Sequence, residues 1–241
     1  MDYLIFQLRA PISAWGETAV GEFRPSANYP SHSALTGLLA AALGVRREDE
    51  SAHMALRSGY AIAVGVINSG HLLRDYHTAQ VPGRVALKNR PHRTRRDELN
   101  LPKAELNTIL STRDYRQDAY SLVALQMRQG APYSLQELAA AIVAPRFVLY
   151  FGRKSCPPSA PLNPLILRGD NALEAFKQYM AHLANIDEMT KESTLERLAW
   201  GEGIDSGCSV DLSVSRKDRL LSRRGWQYGD RTEHIALMGG R

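Results

Sequence analysis

The chain has 241 residues, of which 44% are hydrophobic, and its 30 lysines and arginines against 25 acidic residues give a formal net charge of +5. This length and apolar content are typical of a large domain with its own core, and they exclude a disordered chain. The sequence lacks a run of about eighteen apolar residues, and Asp2 stands where a secretion signal would be basic. We therefore expect a cytoplasmic protein with neither a membrane span nor a signal peptide.

The two cysteines, Cys156 and Cys208, are too few to staple a domain of this size, and their spacing does not form a paired metal-ligand motif. We expect both thiols to be reduced, and Cys156 to be a small packing residue rather than a nucleophile. The sequence also contains no acidic, histidine and cysteine cluster typical of a metal site, and no glycine-rich phosphate or dinucleotide motif. No metal and no cofactor are therefore expected.

The first third of the chain predicts a strand, a helix and a second strand. Residues 3–8 (YLIFQL) form a short apolar run that favours a central strand. After a polar loop, Ser31 or Ser33 is placed to cap a helix with leucines at helical spacing, which Gly44 closes. Residues 61–67 (AIAVGVI) then predict the second strand.

Residues 84–96 carry the positive excess of the chain and contain no acidic residue. The cations of this window are Arg84, Lys88, Arg90, Arg93, Arg95 and Arg96, with His92 among them. The other 24 lysines and arginines nearly balance the 25 acidic residues. Pro82, Gly83 and Pro91 oppose a continuous helix, so the window predicts an extended or hairpin arm. Such an arm gains counterion release along phosphates, and the alternative is a solvated loop without a partner.

Strand and helix signals return after the arm. Residues 119–127 predict a third strand, and Ser134 with Glu137 forms a capping box that opens a helix through Ile142. Residues 147–151 (FVLYF) then read as a buried fourth strand.

The predicted order of strand, helix, strand, strand, helix, strand is that of an α+β, ferredoxin-like or RRM-like domain, whose sheet has one open face. We expect this palm to span residues 1–160, with the basic arm inserted between its second and third strands. Residues 161–241 predict a C-terminal elaboration packed on the palm. Within it we expect a helix over residues 173–183, an acid-rich loop over 187–211, and short strands at 210–214 and 234–238.

The turn after the predicted fourth strand has the composition of an anion-binding site. Gly152 is free to adopt angles closed to other residues, Pro157 stiffens the exit, and Arg153 and Lys154 cannot both be buried without partners. The turn therefore predicts a phosphate grip by these two side chains and by backbone N–H groups. The alternative is a solvated charged turn at a strand end.

Nine segments, taken in order, resemble the CasD family of Cascade subunits in type I-E CRISPR systems, within the RAMP superfamily. They are Ala14-Trp15-Gly16, Arg24-Pro25, residues 30–33 (PSHS), 37–44 (GLLAAALG), 74–78 (RDYHT), 112–119 (TRDYRQDA), Pro145-Arg146, 152–157 (GRKSCP) and 222–226 (SRRGW). The resemblance covers most of the chain. The arm is longer and more basic than the family pattern, and residues 170–211 match it poorly.

This resemblance implies a palm with an inserted β-hairpin thumb at about residues 76–116. It implies a non-catalytic subunit that grips the 5′ handle of the CRISPR RNA and caps the backbone of an antiviral ribonucleoprotein complex. The implied partners are the crRNA, the backbone subunit and the large subunit, with target DNA reached indirectly and no membrane.

Charged, hydroxyl and aromatic side chains in these segments, together with cations of the basic arm, are the candidate RNA contacts, with cations for phosphates and rings for stacking. The RNA-binding candidates are Arg24, Ser31, His32, Ser33, Arg74, Tyr76, His77, Lys88, Arg90, Arg93, Arg95, Arg96, Arg113, Tyr115, Arg146, Arg153, Lys154 and Ser155. Trp15 and Trp226 are expected to be core or subunit-contact residues, because indoles bury a large apolar area.

Two other functions stay open at this point. A metal-independent endoribonuclease that processes precursor crRNA needs a base, an acid and a cation at the cleaved phosphate. His32, His77, His92, Tyr76 and Tyr115 supply suitable side chains, although the resemblance implies that a separate subunit does the processing. A generic single-stranded nucleic-acid-binding domain would explain the arm but not the two segments 14–16 and 152–157 together.

Overall fold

The structure, a computed structural model, describes residues 1–86, 88 and 93–238, so the expectations for Arg90 and His92 lie outside the described residues. The strands are β1 (Asp2–Arg9), β2 (Ile12–Ser13), β3 (Trp15–Gly16), β4 (Phe23–Arg24), β5 (Ser26–Ala27), β6 (Tyr60–Asn68), β7 (His71–Pro82), β8 (Leu106–Gln117), β9 (Tyr120–Met127), β10 (Leu165–Arg168), β11 (Arg197–Trp200), β12 (Leu212–Ser222) and β13 (Gln227–Leu237). The helices are α1 (His32–Leu43), α2 (Glu50–Gly59), α3 (Arg95–Leu99), α4 (Leu135–Val143) and α5 (Ala172–Ile186), with 3-10 turns at Lys103–Glu105 and Glu188–Thr190.

The main sheet has the strand order β10-β1-β9-β6-β11-β13-β12, and each strand runs antiparallel to its neighbours. The predicted strands at residues 3–8, 61–67 and 119–127 are confirmed as β1, β6 and β9. Side chains alternate along β1, so that Leu4 and Phe6 join one hydrophobic cluster whereas Tyr3 and Ile5 join another. The sheet is therefore buried on both faces.

Helices cover both sides of this sheet. The first cluster receives Leu39 of α1 and Leu138 of α4, and the second receives Phe176 and Tyr179 of α5. The expectation of an open sheet face is wrong, because α5 has its own apolar stripe, which packs on β1 and β9. An RNA strand cannot lie across the central strands as it does on an open RRM sheet.

The predicted helix ends are confirmed where a cap marks them. The Ser31 hydroxyl accepts a hydrogen bond from the Ala34 N–H at the start of α1, and Gly44 ends that helix at a φ of 79°. Ser134 and Glu137 form the capping box of α4. The helix predicted over residues 173–183 is α5.

The predicted strand at residues 147–151 is wrong. Leu149 and Phe151 are buried and Val148 is 84% exposed, so the segment alternates like a strand, but it lies outside the sheet. Its entry is tied to the end of α1 instead, since the N–H groups of Arg146 and Phe147 donate to carbonyls of that helix. The edge position next to β1 is taken by β10.

The region after residue 160 adds strands to the same sheet on both sides. The acid-rich segment 187–211 is not all loop, because it contains β11, which pairs with β6 and β13. The strands expected at 210–214 and 234–238 are the beginning of β12 and the end of β13, and both elements are longer than predicted. The division into a palm and a C-terminal elaboration stays a prediction.

A long hairpin of β7 and β8 leaves the sheet between β6 and β9, with His71 opposite Gln117 and Pro82 opposite Leu106. The residues between its strands include α3, whose first turn is capped by Thr94 and Asp97.

Both cysteines are free, and Cys156 is buried in the core as predicted. Burial raises the pKa of the Cys156 thiol, which opposes a role as a nucleophile. No described helix combines the length and the hydrophobicity that crossing a bilayer takes. Within the described residues, no group of three or more acidic, histidine or cysteine side chains is placed to hold a metal ion.

Candidate nucleic-acid interface

A cleft of about 430 Å³ brings together segments that are far apart in the sequence. Its walls include Ala14, Gly16, Glu17, Arg24, Pro25, Ser31, Ser33, Gly37, Leu38, Arg47, Tyr150, Gly152, Arg153, Arg223, Trp226 and Tyr228. Six of the nine family-like segments therefore contribute to one concave surface. Its charged side chains are four arginines and one glutamate, so the cleft favours anions.

One wall forms where the segment Ala14-Trp15-Gly16 docks on the turn after Phe151. The Ala14 N–H donates to the Phe151 carbonyl at 3.0 Å, and the Trp15 and Phe151 rings lie 5.5 Å apart. Gly152 has a φ of 86°, and a Cβ atom there would stand 1.7 Å from the Ala14 carbonyl oxygen. Only glycine allows this approach, which explains why both segments occur together.

Arg153 acts as a clamp within this wall. Its guanidinium donates to the carbonyls of Asp114 at 3.1 Å and Arg24 at 3.3 Å, and it lies 4.4 Å from the centre of the Tyr115 ring. Three chain segments are thereby held by one side chain, and one face of the Tyr115 ring is already covered. Lys154 beside it is exposed.

Polar groups at the start of α1 form the second wall. Ser31 and Ser33 line the cleft with their hydroxyl oxygens 3.2 Å apart, and the first turn of the helix contains no acidic residue. The Asp218 carboxylate already accepts a hydrogen bond from the His32 N–H at this helix N-terminus, so the positive charge of the cleft comes from its arginines. Arg24 also lines the cleft, and its guanidinium donates to the carbonyls of Gly21 and Phe23.

The β7–β8 hairpin separates the candidates that lie on it. Arg74 is opposite Asp114 and Tyr76 is opposite Thr112, whereas Arg113 is opposite Asp75 and Tyr115 is opposite Leu73. Because side chains alternate along a strand and paired residues share a face, Arg74 and Tyr76 lie on one face. The other face carries His77, Arg113 and Tyr115, and the Arg153 contact places Tyr115 on the side of the cleft. The five candidates cannot meet one RNA strand on a single surface.

Arg74 is engaged on the face away from the cleft. Its guanidinium donates twice to the Asp114 carboxylate, at 2.9 and 3.1 Å, and lies 5.2 Å from the Phe23 ring centre. Tyr76, on the same face, is 64% exposed.

His32 lies in another cavity, of about 360 Å³, on the side of α1 that meets the C-terminal hairpin. The cationic side chains that line this cavity with it are Arg57, Arg128, Arg219 and Arg231. Burial and the positive charge of Arg231 lower the pKa of His32 to about 4. The His32 backbone N–H donates to the Asp218 carboxylate at 2.8 Å, which fixes the start of α1 on β12. The structure thus separates His32 from Ser31 and Ser33.

The remaining candidates are dispersed. Arg146 is exposed and packs its stem over Gly44, and Ser155 is exposed on the turn. In the arm, Lys88, Arg93 and Arg96 are exposed, and Arg95 donates to Glu98 and to the Gln80 carbonyl.

The cleft also contains functional candidates that we do not predict from the sequence as RNA contacts, namely Arg47, Arg223, Trp226 and Tyr228. Trp15 is buried, as expected of a core residue, but Trp226 is 55% exposed. The segment SRRGW is the one sequence signal for this wall, since it belongs to the family-like set.

The comparisons with known proteins agree with one another. The family described as "CRISPR-associated protein (Cas_Cas5)" matches residues 3–232. The "CRISPR system Cascade subunit CasD" of Escherichia coli (strain K12) is 36% identical over 169 residues, which cover 67% of this chain and 69% of that protein.

Solved structures with the same fold include a "CRISPR RNA-guided surveillance complex" chain. It is 24% identical with a TM-score of 0.67, over 98% of this chain and 90% of that one. A second, "Crystal structure of Cas protein", is 22% identical with a TM-score of 0.56, over 98% and 94%. At these identities the likeness shows the fold, a mixed arrangement of helices and strands. Because the family model matches residues 3–232, this chain belongs to the Cas_Cas5 family of CRISPR-associated proteins.

Proposed function

We propose that this chain is the non-catalytic Cascade subunit that grips the 5′ handle of the crRNA and caps the backbone of a cytoplasmic effector complex for antiviral defence. The similarity to a protein named as Cascade subunit CasD supports this role. The backbone subunit and the large subunit are the proposed protein partners, and target DNA is reached through the complex.

The observation that carries the proposal is the convergence of six family-like segments on one arginine-lined cleft. A single RNA strand presents phosphates to such arginines and unstacked bases to nearby rings. Ser31, Ser33, Arg24 and Arg153 border the proposed handle path, and Lys154 lies at its exposed edge.

In this proposal, residues 1–160, with β1, β6, β9, α1 and α4, form the ferredoxin-like palm, and β7 with β8 and the basic arm form the inserted thumb. The strand β10 of the C-terminal elaboration packs on the edge of the palm next to β1. His77, Arg113 and Tyr115 face the RNA, and the arm adds phosphate contacts through Lys88, Arg93 and Arg96. The opposite thumb face and the acid-rich segment 187–211 then meet neighbouring subunits.

The arrangement of the candidate acids and bases supports a binding role over the endoribonuclease alternative. Metal-free cleavage needs a base, an acid and a cation around one phosphate. Tyr76 and His77 lie on opposite faces of the hairpin, and His32 lies in a separate cavity with a lowered pKa. Among the described residues, the lining of the cleft includes none of the four candidates His32, His77, Tyr76 and Tyr115.

The test is to purify the chain with its neighbouring subunits and to sequence any bound RNA. The proposal expects repeat-derived 5′ ends that nuclease digestion spares next to this subunit. Purified protein should bind labelled precursor repeat and leave it intact with and without EDTA. Cleavage at the handle boundary that His77→Ala or Tyr76→Phe abolishes would establish the processing enzyme instead.

A further inference from the structure

An exposed tryptophan stands among arginines at the turn between β12 and β13. Trp226 is 55% exposed, and the guanidinium carbons of Arg223 and Arg47 lie 4.5 and 5.0 Å from its ring centre. The other two tryptophans, Trp15 and Trp200, are buried. All three members of this cluster line the cleft described above.

The backbone holds the indole at an energetic cost. Trp226 has a φ of 51°, a left-handed conformation that residues with a side chain seldom adopt. An exposed, bulky residue in this conformation is unfavourable for the isolated fold, and such strain concentrates at binding sites.

The turn is fixed before any ligand arrives. The Glu50 carboxylate accepts hydrogen bonds from the N–H groups of Arg223 at 2.8 Å and Arg224 at 3.1 Å. The Ser222 hydroxyl accepts one from the Gly225 N–H at 2.9 Å. These contacts join the turn to the start of α2, so the ring and its cations are preorganised.

Arg223 also has unused hydrogen-bonding capacity. Its Nη1 donates to the Tyr228 hydroxyl at 3.3 Å, but its Nε is buried and has no acceptor among the described residues. Arg47 is exposed beside it. A phosphate in the cleft would bring oxygen acceptors to the exposed Arg47 guanidinium and to the part of Arg223 that lines the cleft, whereas the buried Nε stays out of its reach.

We propose that Trp226, Arg47 and Arg223 form a nucleotide subsite in which one RNA base stacks on the indole and its phosphate binds the two arginines. An aromatic face flanked by cations at the rim of a cationic cleft is the chemistry that single-stranded nucleic acid requires. The inference rests on the proposed function and extends the RNA path from the 152–157 turn to the C-terminal hairpin.

Tryptophan fluorescence tests the subsite directly, because the other two indoles are buried. The full-length protein is titrated with single-stranded RNA of the host repeat sequence, and acrylamide quenching is recorded in parallel. RNA should quench the emission and protect it from acrylamide, and inorganic polyphosphate of the same length should compete for the arginines without quenching. Trp226→Gly should abolish the RNA-dependent change.

The same variant also measures how much the indole contributes to RNA affinity. It should fold normally, because glycine adopts a φ of 51° without strain. Anisotropy of labelled RNA should show a Kd about 5- to 150-fold higher in Trp226→Gly, the range that base stacking on an aromatic ring supplies. Arg47→Ala should also weaken binding, whereas Arg168→Ala, on the opposite edge strand β10, is the control that should not.

The possible results of these measurements separate the proposed subsite from the proposed function. Wild-type protein that binds RNA with unchanged fluorescence and an unchanged Kd in Trp226→Gly would overturn the subsite and leave the proposed function intact. Wild-type protein, free or assembled, that binds no repeat RNA would overturn both. Protection of Trp226 by a neighbouring subunit without RNA would make this turn a protein contact.

Discussion

Two turns border the cleft, and both carry a glycine and adjacent cations, yet they differ in what those cations do. In the 152–157 turn, Arg153 is held by two backbone carbonyls and a tyrosine ring, and Gly152 is wedged against Ala14. In the 222–226 turn, the backbone is anchored by Glu50 and the cations surround an exposed ring.

The difference teaches that a conspicuous charge in a sequence is not equivalent to a ligand contact. The first turn uses its arginine to hold the walls of the cleft together. The second turn is less conspicuous in sequence, but it places Arg223 beside an exposed indole ring in the cleft. The predictions below separate a turn that maintains the fold from a turn that is available to bind.

The largest effect is expected from Gly152→Ala. The added Cβ would collide with the Ala14 carbonyl at 1.7 Å and would also be strained at a φ of 86°. We expect a loss of about 3–6 kcal/mol in the free energy of unfolding, from backbone strain and overpacking together. Urea unfolding followed by circular dichroism measures it.

Gly37→Ala is the matched control, because a Cβ at Gly37 meets open space in the middle of α1. This variant should be stabilised by about 0.5–1 kcal/mol. Equal destabilisation of both variants would show that Gly152 is not specially constrained.

Arg153→Ala and Lys154→Ala should separate stability from RNA binding. Arg153→Ala loses two charge-assisted hydrogen bonds and a ring contact, at a cost of about 2–3 kcal/mol in unfolding free energy. Lys154→Ala should change that free energy by less than about 0.5 kcal/mol but lower the salt dependence of RNA binding by about one charge. Unfolding curves and Kd values at several salt concentrations would contradict this division if the two variants behaved alike.

Acid should lower the free energy of unfolding through His32, which lines the cavity between α1 and the C-terminal hairpin. Its folded pKa of about 4 lies below the usual unfolded value, so the unfolded chain takes up the proton first as pH falls. This contribution is complete above about pH 6.5 and is lost toward pH 4.

Since the imidazole is partly buried, we expect wild type to lose about 1–2 kcal/mol more than His32→Asn between pH 7.5 and 5. Denaturant midpoints at the two pH values measure the difference. Parallel losses in both proteins would remove His32 as the cause.

The smallest effects compare the two faces of the β7–β8 hairpin. Arg113→Ala, on the face toward the cleft, should weaken RNA binding by about 1 kcal/mol, which is about fivefold in Kd. Tyr76→Ala, on the opposite face, should change Kd by less than about twofold. The reverse order would place the RNA on the other face of the hairpin.

The elements that could be predicted are those with complete local signals. The leucine-rich helix between Ser31 and Gly44 has both caps in its own sequence, and β1, β6 and β9 are long apolar runs. The short strands β10 and β11 have four residues each, so pairing with distant strands decides them. The helix α2 has a weakly apolar sequence and depends on its packing against α1 and β12.

The segments that form the cleft could be predicted from the sequence, whereas the role of each residue within them could not. The carbonyls that hold Arg153 belong to residues 39 and 129 positions away, which no local pattern specifies. The placement of Tyr76 and His77 on opposite faces follows from the alternation of side chains along a strand. It could be predicted only after β7 had been identified as a strand. Trp226 is expected to be a core or subunit-contact residue by its type, and its exposure in the turn excludes the core alternative.

The order of the main sheet has a consequence for synthesis on the ribosome. After the first 160 residues have emerged, β1 and β6 are the outer strands, because their outer neighbours β10 and β11 come later in the chain. Unpaired edges of this kind invite association with other nascent chains. At about 5–20 residues per second, the edge of β6 waits on the order of 10 s for β11. Productive expression should therefore depend on translation rate and on chaperones that shield this edge.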